Sequence, residues 1–169
     1  TPLAERMRPT KIEDFVGQKH IVGIGKPLYN MIKNKSILNC ILYGPPGTGK
    51  TSLANIMASY VDKKFYKLNA TTASVKDIQE IANSLDTLLG YNGVVIYIDE
   101  IQHFSKKQQQ SLLEFIENGK ITLIGSTTEN PYFVLYKAII SRCNIFAFKP
   151  LGTEDIEEGL LKAIKRGLD

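Results

Sequence analysis

Five short apolar runs punctuate the chain: "CILYG" at 40–44, "FYKLNA" at 65–70, "VVIYID" at 94–99, "ITLIGS" at 121–126 and "NIFAFK" at 144–149. Their character is near-continuous rather than alternating, which suits strands covered on both faces of a parallel sheet. Between them the apolar positions recur at helical spacing over 50–61, over 74–89 with Ser74 as N-cap, and over 105–118, where Gly119 stops the pattern. The segment "GKPLYNMIKNK" reads as a shorter helix after a glycine-marked turn. Strands alternating with helices predict an α/β three-layer sandwich with right-handed crossovers. Thr153, followed by Glu154 and Asp155, opens a fresh helix. The expected boundary therefore falls at 150–152, with a core over 1–150 and the start of a second unit over 151–169.

Composition narrows this picture little. A chain of 169 residues makes one domain, long enough to bury roughly 70% of its unfolded surface. Its 43% hydrophobic and 22% charged content is ordinary for a globular protein. No apolar run approaches the ~20 residues of a membrane span, and no signal peptide opens the chain, so a cytoplasmic protein is expected. Cys40 and Cys143 sit in or beside apolar runs and read as small core residues rather than a disulfide or metal pair. The excess of 21 Lys and Arg over 17 Asp and Glu gives +4, which permits a nucleic-acid partner without arguing for one. The chain opens at Thr1-Pro2 without a methionine and closes inside its last helix, so a fragment of a longer polypeptide is expected.

The chemistry begins at "ILYGPPGTGKTSLANIMASYV", where an apolar strand meets the pattern G-x-x-x-x-G-K-[ST] and then a helix. Gly44, Pro45, Pro46, Gly47, Thr48 and Gly49 form the loop, and Lys50, Thr51 and Ser52 open the helix. Such a loop turns several backbone N–H groups inward, and the helix adds its positive end to the same anion. Lys50 then reaches the β- and γ-phosphates, and the Thr51 hydroxyl holds Mg²⁺. The expected ligand is a nucleoside triphosphate.

Asp99 and Glu100 close the run "VVIYIDEI". Carboxyl ends of parallel strands face the ligand crevice, so both acids are expected beside the loop. Asp99 completes the Mg²⁺ shell through water, and Glu100 orients and deprotonates an attacking water. Such a glutamate favours hydrolysis over transfer to a metabolite. Thr128 after the fourth run and Asn69 at the end of the second either sense the γ-phosphate or cap their own strand ends. Arg142, just before the fifth run, is either a solvated surface residue or a cation facing a neighbouring subunit's phosphates. Lys106 and Lys107 read as solvated charges before contacts to nucleic acid.

Together the blocks "PLAERMRPTKIEDFVGQKHIVG", "GKPL", "GPPGTGKTSLA", "VKDIQE", "DEIQHFSKKQQQSLL", "GKITLIGSTTENPYF" and "SRC" resemble the AAA+ ATPases of the clamp-loader branch, and within it the RarA/MgsA family that includes the Werner helicase-interacting protein. They span nearly all of 2–150. The resemblance implies a five-stranded parallel sheet in the order 5-1-4-3-2, with ATP and Mg²⁺ at a subunit boundary. It makes Lys50 and Thr51 the Walker A pair, Asp99 and Glu100 the Walker B pair, Thr128 the sensor-1 residue and Arg142 the arginine finger. Asn69 falls where relatives restrain the catalytic glutamate until DNA arrives, and Val16 and Gly17 fall where backbone embraces adenine, steadied by Arg8 and Pro9. Relatives have His-Arg after "DEI" where this chain has Gln102-His103, so His103 is given no role. The family's sensor-2 arginine and tetramerisation region would lie beyond residue 169.

The function implied is an ATP-driven homo-oligomer, a tetramer, acting on single-stranded, forked or duplex-ended DNA at replication forks, with single-stranded-DNA-binding protein as a further partner. The alternatives are a sliding-clamp-loader subunit or a Holliday-junction branch-migration motor. A small-molecule kinase lacks its expected arginine-rich lid, and Glu100 argues against a scaffold that binds ATP without turnover.

Overall fold

The computed structural model describes residues 11–85, 93–119 and 121–168. Its strands are β1 (Cys40–Tyr43), β2 (Lys64–Asn69), β3 (Val94–Asp99), β4 (Ile121–Thr127) and β5 (Asn144–Ala147). The helices are α1 (Lys19–Val22), α2 (Pro27–Lys33), α3 (Lys50–Ser59), α4 (Val75–Asn83), α5 (Lys106–Glu117), α6 (Pro131–Val134), α7 (Lys137–Ile140) and α8 (Thr153–Leu168). All five strands pair in parallel in the order β2-β3-β4-β1-β5, which is the expected 5-1-4-3-2 read from the other edge.

The alternation of side chains along each strand divides the core in two. Cys40, Leu42, Val95, Tyr97 and Ile124 point to one face, where Leu28 and Ile32 of α2 and Leu53, Ile56 and Met57 of α3 cover them. Ile41, Ile96, Ile98 and Leu123 point to the other, beneath Ile78 of α4 and Leu112 and Ile116 of α5. The central strands β3 and β4 are buried almost throughout, which is why their sequences run apolar without a break. Strand β2 differs. It lies at the sheet edge and is only half-covered, so its sequence "KFYKLN" admits two lysines, Lys64 and Lys67, one on each face.

Helix ends follow their local signals. Ser105 accepts from the N–H of Gln108 while the Gln108 side chain reaches back to the N–H of Ser105, a reciprocal cap that starts α5. Ser74 and Asp77 form the same device at α4. That helix ends at Asn83, capped by the backbone at Ser84, short of the expected residue 89; residues 86–89, like Arg8 and Pro9, lie outside the described residues. Cys40 and Cys143 are free thiols, both held protonated by burial, with Cys143 pushed up to about 12.

Candidate functional site

Because every strand runs the same way, the carboxyl ends of β1, β3 and β4 meet along one rim. Gly44 leaves β1 and donates its N–H to the carbonyl of Thr127 at 3.1 Å, anchoring the loop to the end of β4. Thr48 Oγ1 donates to the Pro45 carbonyl at 2.8 Å and braces the loop across its base. Gly49 caps α3 at φ 98°, in the left-handed region. A β-carbon there would also come within 2.8 Å of the Phe15 ring, so the turn demands glycine twice over.

A cavity of about 460 Å³ opens over this loop, lined by 46–52 together with Tyr97, Asp99, Glu100 and Thr128. Five of the residues expected to meet there do so: Lys50, Thr51, Asp99, Glu100 and Thr128. Lys50 Nζ donates to the carbonyls of Gly44 and Pro45 at 2.6 and 2.8 Å, folded onto its own loop. Burial lowers its pKa, and the nearby Asp99 carboxylate works in the opposite sense. Glu100 turns out of β3 at φ 55°, a left-handed conformation uncommon for a side-chain-bearing residue. His103 Nε2 stands 3.4 Å from Glu100 Oε2, so this histidine has a place at the site that its sequence context did not suggest.

The strand-end polar residues differ in their surroundings. At β4, Thr127 takes the capping task, its Oγ1 accepting from the N–H of Glu129 at 3.0 Å, while Thr128 is exposed and faces the cavity. At β2, Asn69 Oδ1 accepts from both the N–H and the hydroxyl of Thr71, at 2.9 and 2.6 Å, which is local capping. Asn69 is paired in register with Asp99 but is not among the cavity-lining residues.

Arg142 lies two residues before β5, at the opposite end of the sheet from the cavity. Its guanidinium pairs with Glu117 at 2.8 Å and donates to the Ala138 carbonyl at 2.9 Å. Val16 and Gly17 pack elsewhere than the cavity wall, against the start of α8. A β-carbon on Gly17, at φ 79°, would sit 2.5 Å from Leu151, and Val16 lies alongside Gly159. Between them and the loop stands Gln18, buried, its amide donating to the carbonyls of Lys149 and Thr48 at 2.6 and 3.4 Å.

A run of hydroxyls joins the two sides of the cavity. Thr51 Oγ1 is 3.0 Å from the phenol of Tyr97, which donates to Ser126 Oγ at 2.9 Å, and Ser126 donates to Asp99 Oδ1 at 2.8 Å. Burial raises the pKa of Tyr97, so its proton stays on. The donors offered to a cation, a hydroxyl and a carboxylate, are oxygens only, and the described residues contain no cluster of three His, Cys, Asp or Glu. That set fits Mg²⁺, which binds oxygen and keeps several of its waters.

Comparison with known proteins agrees with this geometry. Residues 40–151 match the family model "ATPase family associated with various cellular activities (AAA)". The chain is 42% identical over 171 residues to replication-associated recombination protein A of Haemophilus influenzae, covering 99% of this chain and 38% of that protein. It is 44% identical over 163 residues to the protein of the same name in Bacillus subtilis, covering 96% of this chain and 38% of that one. The chain thus spans little more than a third of the length of these relatives. Among solved structures, the Thermotoga maritima RuvB Holliday junction branch migration motor superposes with a TM-score of 0.74 at 27% identity, over 95% of this chain and 54% of that one.

Proposed function

The chain belongs to the AAA family of ATPases, and from that premise we propose that it is the ATP-hydrolysing core of a replication-associated recombination protein acting on DNA at replication forks. The observation that carries the reading is the convergence of Lys50, Thr51, Asp99 and Glu100 on one 460 Å³ cavity at the carboxyl rim of the sheet.

In this reading the N–H groups of the loop and the first turn of α3 hold the β- and γ-phosphates. Lys50 exchanges the Gly44 and Pro45 carbonyls for phosphate oxygens. Thr51 and Asp99 hold Mg²⁺, which when bound neutralises charge on the phosphates. Glu100 takes the proton of the attacking water, and Thr128 senses the γ-phosphate from the end of β4. Glu100 is 40% exposed at its side chain, open enough to meet that water.

Arg142 faces away from its own cavity and so serves the nucleotide of an adjoining subunit in a homo-oligomer. Val16 and Gly17 contribute backbone to the adenine side. Asn69 restrains Glu100 only if it releases the Thr71 turn. Residues 1–150 form the nucleotide-binding core, and 151–169 open a helical lid. The replication-associated role named for the relatives supports a cytoplasmic location, and no helix of the described residues is long and apolar enough to cross a membrane.

The test is phosphate release from ATP by a polypeptide of the relatives' full length, with and without Mg²⁺, and with single-stranded, forked and four-way-junction DNA. Mg²⁺-dependent turnover stimulated by forked DNA supports the proposal. Stimulation confined to four-way junctions favours a branch-migration motor, to which the RuvB likeness lends support. Transfer of phosphate to an acceptor, or no turnover under any condition, overturns it.

A further inference from the structure

Tyr97 and Ser126 belong to the apolar interior by position, yet they carry hydroxyls. Both are fully buried, at 0% exposure, in the two central strands. Tyr97 and Asp99 are two residues apart on β3, so their side chains leave the same face of the sheet. Register places Ile98 beside Gly125, which brings Ser126 of β4 next to Asp99. The ring of Phe65 on β2 lies 6.5 Å from that of Tyr97 and limits its swing.

Proton counting then gives the chain of bonds a direction. Each hydroxyl has one proton to donate. Ser126 spends its proton on Asp99 Oδ1, and Tyr97 spends its proton on Ser126. The 3.0 Å contact between Thr51 and Tyr97 therefore uses the proton of Thr51. With that proton turned inward, the lone pairs of Thr51 Oγ1 face the cavity. A hydroxyl that binds a cation needs this orientation. At the far end, Asp99 Oδ1 is occupied by Ser126, and Oδ2 makes no hydrogen bond among the described residues.

We propose that Tyr97 and Ser126 are positioning residues for the divalent cation of the triphosphate site, a buried relay that sets the orientation of Thr51 and Asp99 together. The inference rests on the phosphate-site reading above and adds to it two residues that touch neither phosphate nor cation. Groups that orient ligands from behind tune cation affinity, their loss costing about 10–100-fold in affinity or activity. The relay also couples the two ligands, because disturbing either end shifts the hydroxyl orientations between them.

Binding of a fluorescent ATP analogue to this chain, in EDTA and across a MgCl₂ titration, tests the relay without reference to turnover. The expected result for Tyr97→Phe is an affinity in EDTA within about twofold of the unaltered chain and an Mg²⁺ half-saturation concentration raised about 10-fold, the low end of the range for such outer groups. Ser126→Ala should act in the same direction, and the double variant should lose no more than the worse single one, since one break already interrupts the relay. Thermal melting checks folding. If Tyr97→Phe does not fold, Ser126→Ala carries the test alone. An unchanged Mg²⁺ requirement in a folded variant overturns the inference, as does an equal loss of affinity with and without Mg²⁺, which marks a merely structural role. Nucleotide binding that is absent in the unaltered chain, or indifferent to Mg²⁺, overturns the phosphate-site reading itself and this inference with it.

Discussion

The side chain of Gln18 meets the backbone of Lys149 as a neighbouring strand would, accepting from its N–H at 2.7 Å and donating to its carbonyl at 2.6 Å. Separated by 131 residues, the two close the N-terminal segment over the phosphate loop and fasten it to the exit of β5. Replacing Gln18 with alanine removes both bonds and leaves a part-buried N–H and carbonyl unpaired, a cost of about 2 kcal/mol. The melting temperature of Gln18→Ala should fall by about 4–8 °C for a chain of this size. A fall under about 1 °C would deny the pair any structural weight.

Lys50→Ala should weaken ATP at least about 100-fold by calorimetry, the loss of about two charge-assisted hydrogen bonds to phosphate. The melting temperature should hardly move, because among the described residues the bonds lost are only those to the Gly44 and Pro45 carbonyls, one of them exposed. Undiminished affinity would contradict the role given to the loop.

For Glu100→Gln the expected pattern is retained ATP binding with turnover reduced about 10²–10⁴-fold, the contribution of a positioned general base. The amide keeps the size of the carboxylate and loses its basicity. Near-normal phosphate release would remove Glu100 from the chemistry.

Arg142→Ala should leave nucleotide affinity of this chain within about twofold, because the guanidinium lies at the other end of the sheet, and its exposed pairing with Glu117 is worth at most about 1 kcal/mol. In a polypeptide long enough to assemble, the same change should suppress turnover, and mixing with Lys50→Ala subunits should restore part of it. Absence of rescue in confirmed mixed assemblies would count against action on a neighbour's ATP.

Thiol chemistry gives a test of the core. Burial lifts the Cys143 thiol to about 12 and Cys40 higher still. Both raised values mean neutral thiols at pH 8, whereas the unfolded chain ionises an appreciable fraction near its ordinary pKa of about 8.5. Native protein at pH 8 should therefore resist alkylation that denatured protein undergoes at both positions, as read by mass spectrometry. Rapid labelling of the native form would refute the packing around β1 and β5.

What the amino-acid order settled by itself is local and periodic. Unbroken apolar runs marked β3 and β4 because both faces of a central strand are covered, and Ser74 as an N-cap and the helical spacing from Ser105 marked where α4 and α5 begin. The glycine loop, with Asp99 and Glu100 at a strand end, needed only neighbours in sequence to be read. Partnerships across the sheet were another matter. The union of Thr51, Tyr97, Ser126 and Asp99 depends on the register of β3 against β4 and on the seat of α3 above them. A tyrosine inside an apolar strand looks the same whether its hydroxyl finds a partner or water. Gln18 and Phe15 gave no signal for the same reason: their partners, Lys149 and Gly49, become neighbours only when the chain closes. Periodicity encodes which face of an element is buried. Which polar atoms meet inside is decided by how those faces are brought together.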